Sequence, residues 1–138
     1  MSLDELLKGF LMEGQLLGTL FFLLVKHTIA DYFTQYKWMM KDKATYGAWG
    51  GLAHAGWHGI LTFLVLYWNP FAVMSTLLMI ILLSIIDSVF HYHIDYVKSN
   101  IWKSKQLTPI DQLYWAVHGV DQFLHMATYI LIIYILSI

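Results

Sequence analysis

The sequence contains no cysteine and no arginine; all eight of its basic residues are lysines. Without cysteine there are no disulfides and no thiolate zinc sites. Without arginine there is no bidentate guanidinium clamp for phosphate or carboxylate. Charge is scarce as well, with 12% of residues charged against 59% hydrophobic and 17% aromatic. An average soluble domain carries about a quarter charged residues. A 138-residue chain of this kind has too little polar surface to cover a small globule, whose surface is large relative to its volume. A soluble monomer and a disordered chain are both excluded on this ground. The net charge of -1 provides no basic field for nucleic acid. Three further patterns are missing: the basic start and apolar centre of a signal peptide, the Gly-x-Ser-x-Gly elbow of serine hydrolases, and the phosphate-cradling Gly-x-x-x-x-Gly-Lys. His54-Ala-Gly-Trp-His58 has zincin-like spacing but no glutamate inside it.

What is abundant is long apolar stretches. After a short amphipathic lead-in bearing Asp4, Glu5 and Glu13, four segments run over roughly 15–37, 49–68, 71–97 and 110–137. Each approaches or exceeds the ~20 residues a helix needs to cross a bilayer, and backbone satisfaction in lipid requires helices. Trp68-Asn69-Pro70 reads as a tight turn, and Thr108-Pro109 with Asp111 as a capped helix start. The expectation is an all-α integral membrane fold, one domain over 1–138, built as an up-down-up-down four-helix bundle. Six of the eight lysines (Lys37, Lys41, Lys43, Lys98, Lys103 and Lys105) fall in alternate loops. The positive-inside rule then places those loops in the cytoplasm of a bacterial inner membrane, with both termini on the non-cytoplasmic side.

Seven histidines are many for so apolar a chain. They fall, with aspartates, on i, i+4 rows: His27, Asp31 and Gln35; His54 and His58; Asp87, His91 and Asp95; His118, Gln122 and His125 with Asp121 beside them. Residues four apart share a helix face. In an antiparallel bundle all these rows lie at one depth, next to the lysine loops. Ionisable groups in a membrane point inward, so four rows converge on one chamber of six histidines and four or five aspartates. His93 lies about 200° from His91 and faces elsewhere. Lys26 and Lys98 read as snorkelling lysines. Gly51, Ala55 and Gly59 form a small-residue stripe for helix packing, and Gly47-Ala48-Trp49-Gly50-Gly51 a flexible lead into the second helix.

Imidazole and carboxylate together are ligands for divalent transition metals. The candidate metal ligands are His27, Asp31, His54, His58, Asp87, His91, His118, Asp121 and His125. They suffice for one or two ions, zinc first and iron or manganese as alternatives. Asp95 and Asp121 are the candidates for acid–base work.

The combination His27-x3-Asp31-x3-Gln35, His54-x3-His58, Asp87-x3-His91-x3-Asp95 and Asp121-Gln122-x2-His125, with Trp38-Met39 and Asp95-Tyr96-x-Lys98, resembles a family of small bacterial and phage membrane proteins classed as a domain of unknown function. The resemblance covers nearly the whole chain and implies a four-helix integral membrane fold. A looser similarity is to inner-membrane metal-dependent hydrolases with histidines and aspartates at helix ends.

The function expected from the residues is a membrane-embedded metal-dependent hydrolase acting on an amphiphilic substrate, a lipid or phosphate ester, near the cytoplasmic face. Its partners are the bilayer and that substrate, with a homo-oligomer allowed and nucleic acid excluded. Three alternatives stand beside it: a metal or proton transporter, a histidine-rich iron oxidase, and a non-enzymatic membrane interaction protein whose polar core sets helix register.

Overall fold

The structure, a computed structural model, describes residues 2–68 and 76–138. Among these residues the chain is all-helical: α1 (Leu3–Thr28), α2 (Lys37–Lys41), α3 (Trp49–Trp68), α4 (Leu77–Ser104) and α5 (Gln112–Ser137). The turn expected at Asn69-Pro70 and the expected start of a span at residue 71 lie outside the described residues.

The lead-in and the first apolar segment are one helix. The Ser2 hydroxyl accepts from the Glu5 backbone N–H at 3.2 Å and the Glu5 carboxylate accepts from the Ser2 N–H at 2.6 Å. This capping box satisfies the first free donors of α1. At its other end α1 widens into a π-helical turn, Ile29–Phe33, closed by the Thr34 N–H donating to the Ile29 carbonyl at 3.0 Å. The helix stops there, short of residue 37, and α2 turns back over the start of α3. Gly50 allows this approach, since a Cβ there would sit 2.7 Å from the Trp38 carbonyl oxygen. Gly47 takes φ +76°, and its N–H donates to the Tyr92 hydroxyl at 2.6 Å. The glycine-rich segment expected to be flexible is thus a packed corner.

Gly59 closes α3 on α4: an added Cβ would lie 2.9 Å from the Ser84 carbonyl oxygen. Before α5, the Asp111 carboxylate accepts from the Thr108 N–H at 2.7 Å and the Thr108 hydroxyl at 2.9 Å. These bonds hold the Asp111 carboxyl below the usual carboxylate range. They form one half of the expected capping box, and the helix itself begins one turn later, at Gln112.

Among the described residues, three helices are long and apolar enough to cross a membrane: Leu3–Phe33, Leu77–Ser104 and Gln112–Ser137. Four were expected. Residues 49–68 do form a helix, α3, but Gly50, Gly51, His54, Gly56, Trp57, His58 and Gly59 lower the hydropathy of its first half.

The molecule is apolar outside and polar within, the inverse of a soluble domain. Phe10, Leu17, Phe21, Ile60, Leu78, Phe123 and Ile130 are exposed, whereas Lys26, His54, His58, Asp87, His91, Asp95, Asp121 and His125 are buried. An apolar cluster of Leu23, Leu66, Ile80, Leu83, Tyr129, Ile132 and Leu136 fills one part of the interior. The polar chamber fills the other.

Candidate metal centre

Each long helix sends one row of side chains into the chamber. From α1 come Lys26 and His27, and the π turn beyond it presents Asp31. Such turns add a residue to the helical circuit and recur at functional sites. His54 and His58 come from α3, Asp87, His91 and Asp95 from α4, and Asp121, Gln122 and His125 from α5. All of these histidines and aspartates are buried except Asp31, whose side chain is 10% exposed.

The donors form three adjoining groups, each able to surround an ion: Asp31, His54, His58 and His91; His27, His91 and His125; and Asp95, Asp121 and His125. In the first, Asp31 Oδ1 lies 3.1 Å from both His54 Nε2 and His58 Nε2 and 3.8 Å from His91 Nε2. His54 Nε2 is also 3.1 Å from His91 Nε2 and 2.9 Å from the Gln35 amide nitrogen. A neutral imidazole nitrogen has one proton or one lone pair, so no proton arrangement satisfies all of these neighbours of His54 Nε2. A tetrahedral zinc ion, with bonds near 2.0–2.1 Å, holds its donors about 3.3 Å apart. These four donor separations, 3.1 to 3.8 Å, bracket that spacing.

His27 is placed differently. Its Nε2 is 3.2 Å from Gln122 Oε1, which makes it the donor, and its Nδ1 accepts from the Tyr129 hydroxyl at 2.9 Å. Both ring nitrogens are therefore engaged. In the third group His125 Nε2 lies 3.5 Å from Asp121 Oδ1 and 3.9 Å from Asp95 Oδ1. His125 Nε2 and Asp121 Oδ1 are buried without a hydrogen bond among the described residues.

Three lysines complete the chamber. Lys26 Nζ donates to Asp87 Oδ2 at 2.6 Å, and the Thr62 hydroxyl donates to the same oxygen at 2.6 Å. Lys43 pairs with Asp95 at 2.5 Å, while Lys98 bridges Asp95 at 2.8 Å and Asp121 at 2.9 Å. Neither Lys26 nor Lys98 snorkels; burial without a partner would be costly, and Lys26 has one carboxylate and Lys98 two. With the histidines neutral, four aspartates (Asp31, Asp87, Asp95, Asp121) against three lysines (Lys26, Lys43, Lys98) leave one negative charge. It resides on Asp31, which has no lysine within salt-bridge distance and is surrounded by histidines.

Two candidate ligands stand outside the three groups. Asp87 is taken up by Lys26 and Thr62. His118 has its Nδ1 3.9 Å from Asp121 Oδ2 and a side chain 27% exposed; it lines a cavity of about 660 Å³ that Asp31, Gln35 and Lys98 reach from the site. His93 is exposed and its Nδ1 donates to the Val89 carbonyl at 2.7 Å, away from the chamber. Sequence reasoning overlooked Thr62 and Tyr129 as chamber residues, although each extends a row by one turn, Thr62 from His58 and Tyr129 from His125. For Lys43, in a loop, there was no periodic signal.

No curated protein and no solved structure matches the chain significantly. The looser likeness to membrane hydrolases therefore has no support from relatives. One family does match, over residues 19–138, a span enclosing every residue of the chamber; the chain belongs to that family, described as a protein of unknown function (DUF3307).

Proposed function

We propose that this chain is a membrane-embedded metal-dependent hydrolase, with a single divalent ion, zinc first, held by Asp31, His54, His58 and His91. The observation that carries the reading is the lone Asp31 carboxylate, free of lysine, set with three imidazole nitrogens at the spacing of a tetrahedral shell. An ion bound there would lower the pKa of a coordinated water toward neutrality and polarise an ester oxygen. Hydrolysis adds water oxygen to the phosphorus or carbonyl centre, breaks its bond to the leaving alcohol and puts one proton on that alcohol. His125, unbonded at Nε2 and flanked by Asp121 and Asp95, is the group placed to carry the proton. Gln122 donates to Asp31 at 3.5 Å and to Asp121 at 3.1 Å, and so ties the ligand to the proton relay. Lys43 and Lys98 neutralise Asp95 and Asp121, which makes a second ion there unnecessary.

In this reading α1, α3, α4 and α5 form an up-down-up-down bundle. Contacts between them pair rising with falling residue numbers: Lys26 with His58 and Asp31 with His54, Thr62 with Asp87 and His54 with His91, Lys98 with Asp121 and Asp95 with His125. The lysine-bearing ends face the cytoplasm, in the inner membrane of a bacterial cell. The apolar cluster beyond the chamber favours a closed site over a transport path.

Elemental analysis of detergent-purified protein tests the proposal. Roughly one equivalent of transition metal per chain is expected, with most of it lost in Asp31→Asn and in His58→Ala. Metal-free wild-type protein, or variants that keep their metal, would overturn it.

A further inference from the structure

The surroundings of the centre narrow the substrate. The cavity of about 660 Å³ that touches Asp31 is lined by Lys41, Lys43, Lys98 and Lys103. Lys43 and Lys98 are committed to Asp95 and Asp121. Lys41 and Lys103 are exposed and have no ion pair among the described residues. In a chain without arginine these are the charges left to receive an anionic group, and lysine binds phosphate as a point charge.

A second cavity, of about 520 Å³, lies between α4 and α5. Its walls are two helix rows, Ile94, Val97 and Ile101 facing Leu113, Val117 and Val120. Apolar residues at i, i+3, i+4 and i+7 normally mark a buried stripe. Here Leu113 and Val120 remain exposed and small Ala116 leaves the gap open, so a chain can slide in sideways from the bilayer. Both cavities are of a size that holds small ligands, roughly 300–1,000 Å³. They share one residue, Lys98, and each reaches the chamber, one at Asp31 and the other at Asp121.

From this juxtaposition, and resting on the hydrolase reading, we infer that the substrate is a lipid phosphate ester whose phosphate occupies the lysine-lined cavity and whose hydrocarbon chain lies between α4 and α5, with Lys98 at the junction. The slot sets the depth of the headgroup, and the lysines choose its charge. Asp31 and its histidines then meet the phosphate from the chamber side.

The full chain in maltoside micelles provides the test, with hexadecyl phosphate, ethyl phosphate and hexadecyl maltoside as probes. Retention is read by native mass spectrometry, and bound transition metal, zinc first, is counted in the same samples. Hexadecyl phosphate is expected to be retained in clear preference to the other two. Ala116→Trp, at an exposed position, and Val117→Trp are each expected to abolish most of that retention with bound metal unchanged. Lys41→Gln and Lys103→Gln should each weaken it about fivefold, the effect of one lysine near an anionic headgroup. Equal retention of hexadecyl maltoside, or undiminished hexadecyl phosphate retention in both tryptophan variants, would overturn the substrate assignment alone. Absence of any bound transition metal from the wild type would instead overturn the hydrolase reading, whatever the lipid result.

Discussion

Asp87 and Lys26 show how much of this interior is decided by single side chains. Asp87 sits on the same helix row as His91 and Asp95, and by spacing alone it is as good a ligand as either. What separates it is Lys26, which is 4% exposed and donates to Asp87 and to the His58 carbonyl. The histidine and aspartate rows were legible because they repeat every fourth residue. The pairing was not, because a lysine reads the same in sequence whether its stem carries the ammonium out to the headgroups or into a carboxylate on another helix. Removing one partner of a buried pair strands the other charge. Lys26→Met is therefore expected to destabilise the protein by about 3–5 kcal/mol, and adding Asp87→Leu to recover most of that loss. Unfolding in mixed micelles measures both effects, and the metal content of the double variant tests whether Asp87 is a ligand. A double variant that is stable but metal-free would return Asp87 to the ligand set.

At the scale of elements, the sequence marked where apolar helices run better than where they end. The row His27, Asp31, Gln35 suggested one straight helix to residue 37. The π turn ends α1 sooner, yet Gln35 still reaches His54, so the row was informative even though the helix it implied was not continuous. The C-terminal part of α4 extends to Ser104 through Ser99, Asn100 and Lys103, polar residues that give no apolar signal. Glycines are where the two levels of reading meet. Gly59 lies in the small-residue stripe expected to pack and Gly56 on the same helix lies outside it; a Cβ at Gly59 would strike the Ser84 carbonyl and the Ser88 side chain, whereas Gly56 faces open space. Gly59→Ala is expected to cost about 1–3 kcal/mol through forced separation of α3 and α4. Gly56→Ala should be neutral or stabilising by up to about 1 kcal/mol. Ser88→Ala will not rescue Gly59→Ala, because the backbone carbonyl of Ser84 remains in place. Thermal unfolding of the four proteins in one detergent checks all three statements.

For the whole molecule, the outcome turns on α3. Composition pointed to a membrane protein, because so few charges cannot cover a water-facing surface, and three of the described helices are long and apolar enough to cross one. It could not say whether α3 crosses, since hydropathy averages over all faces of a helix. The residues that lower the hydropathy of α3, His54 and His58 above all, face Asp31 and His91 rather than the outside, whereas Ile60, Tyr67 and Trp68 are exposed. A helix whose polar atoms are spent on its neighbours presents an apolar exterior to lipid whatever its mean hydropathy. If α3 crosses, the chain spans four times and its two ends share one side; if it does not, three crossings put them on opposite sides. The absence of cysteine makes the distinction direct, because any introduced thiol is the only one. Ser2→Cys and Ser137→Cys are expected to react with an impermeant maleimide added to intact cells, while Lys41→Cys and Lys103→Cys react only after the membrane is opened. Labelling of Ser2→Cys without Ser137→Cys would remove α3 from the bilayer. It would also leave His54 and His58 with no buried depth at which to meet Asp31 and His91, and the four-helix chamber would have to be abandoned.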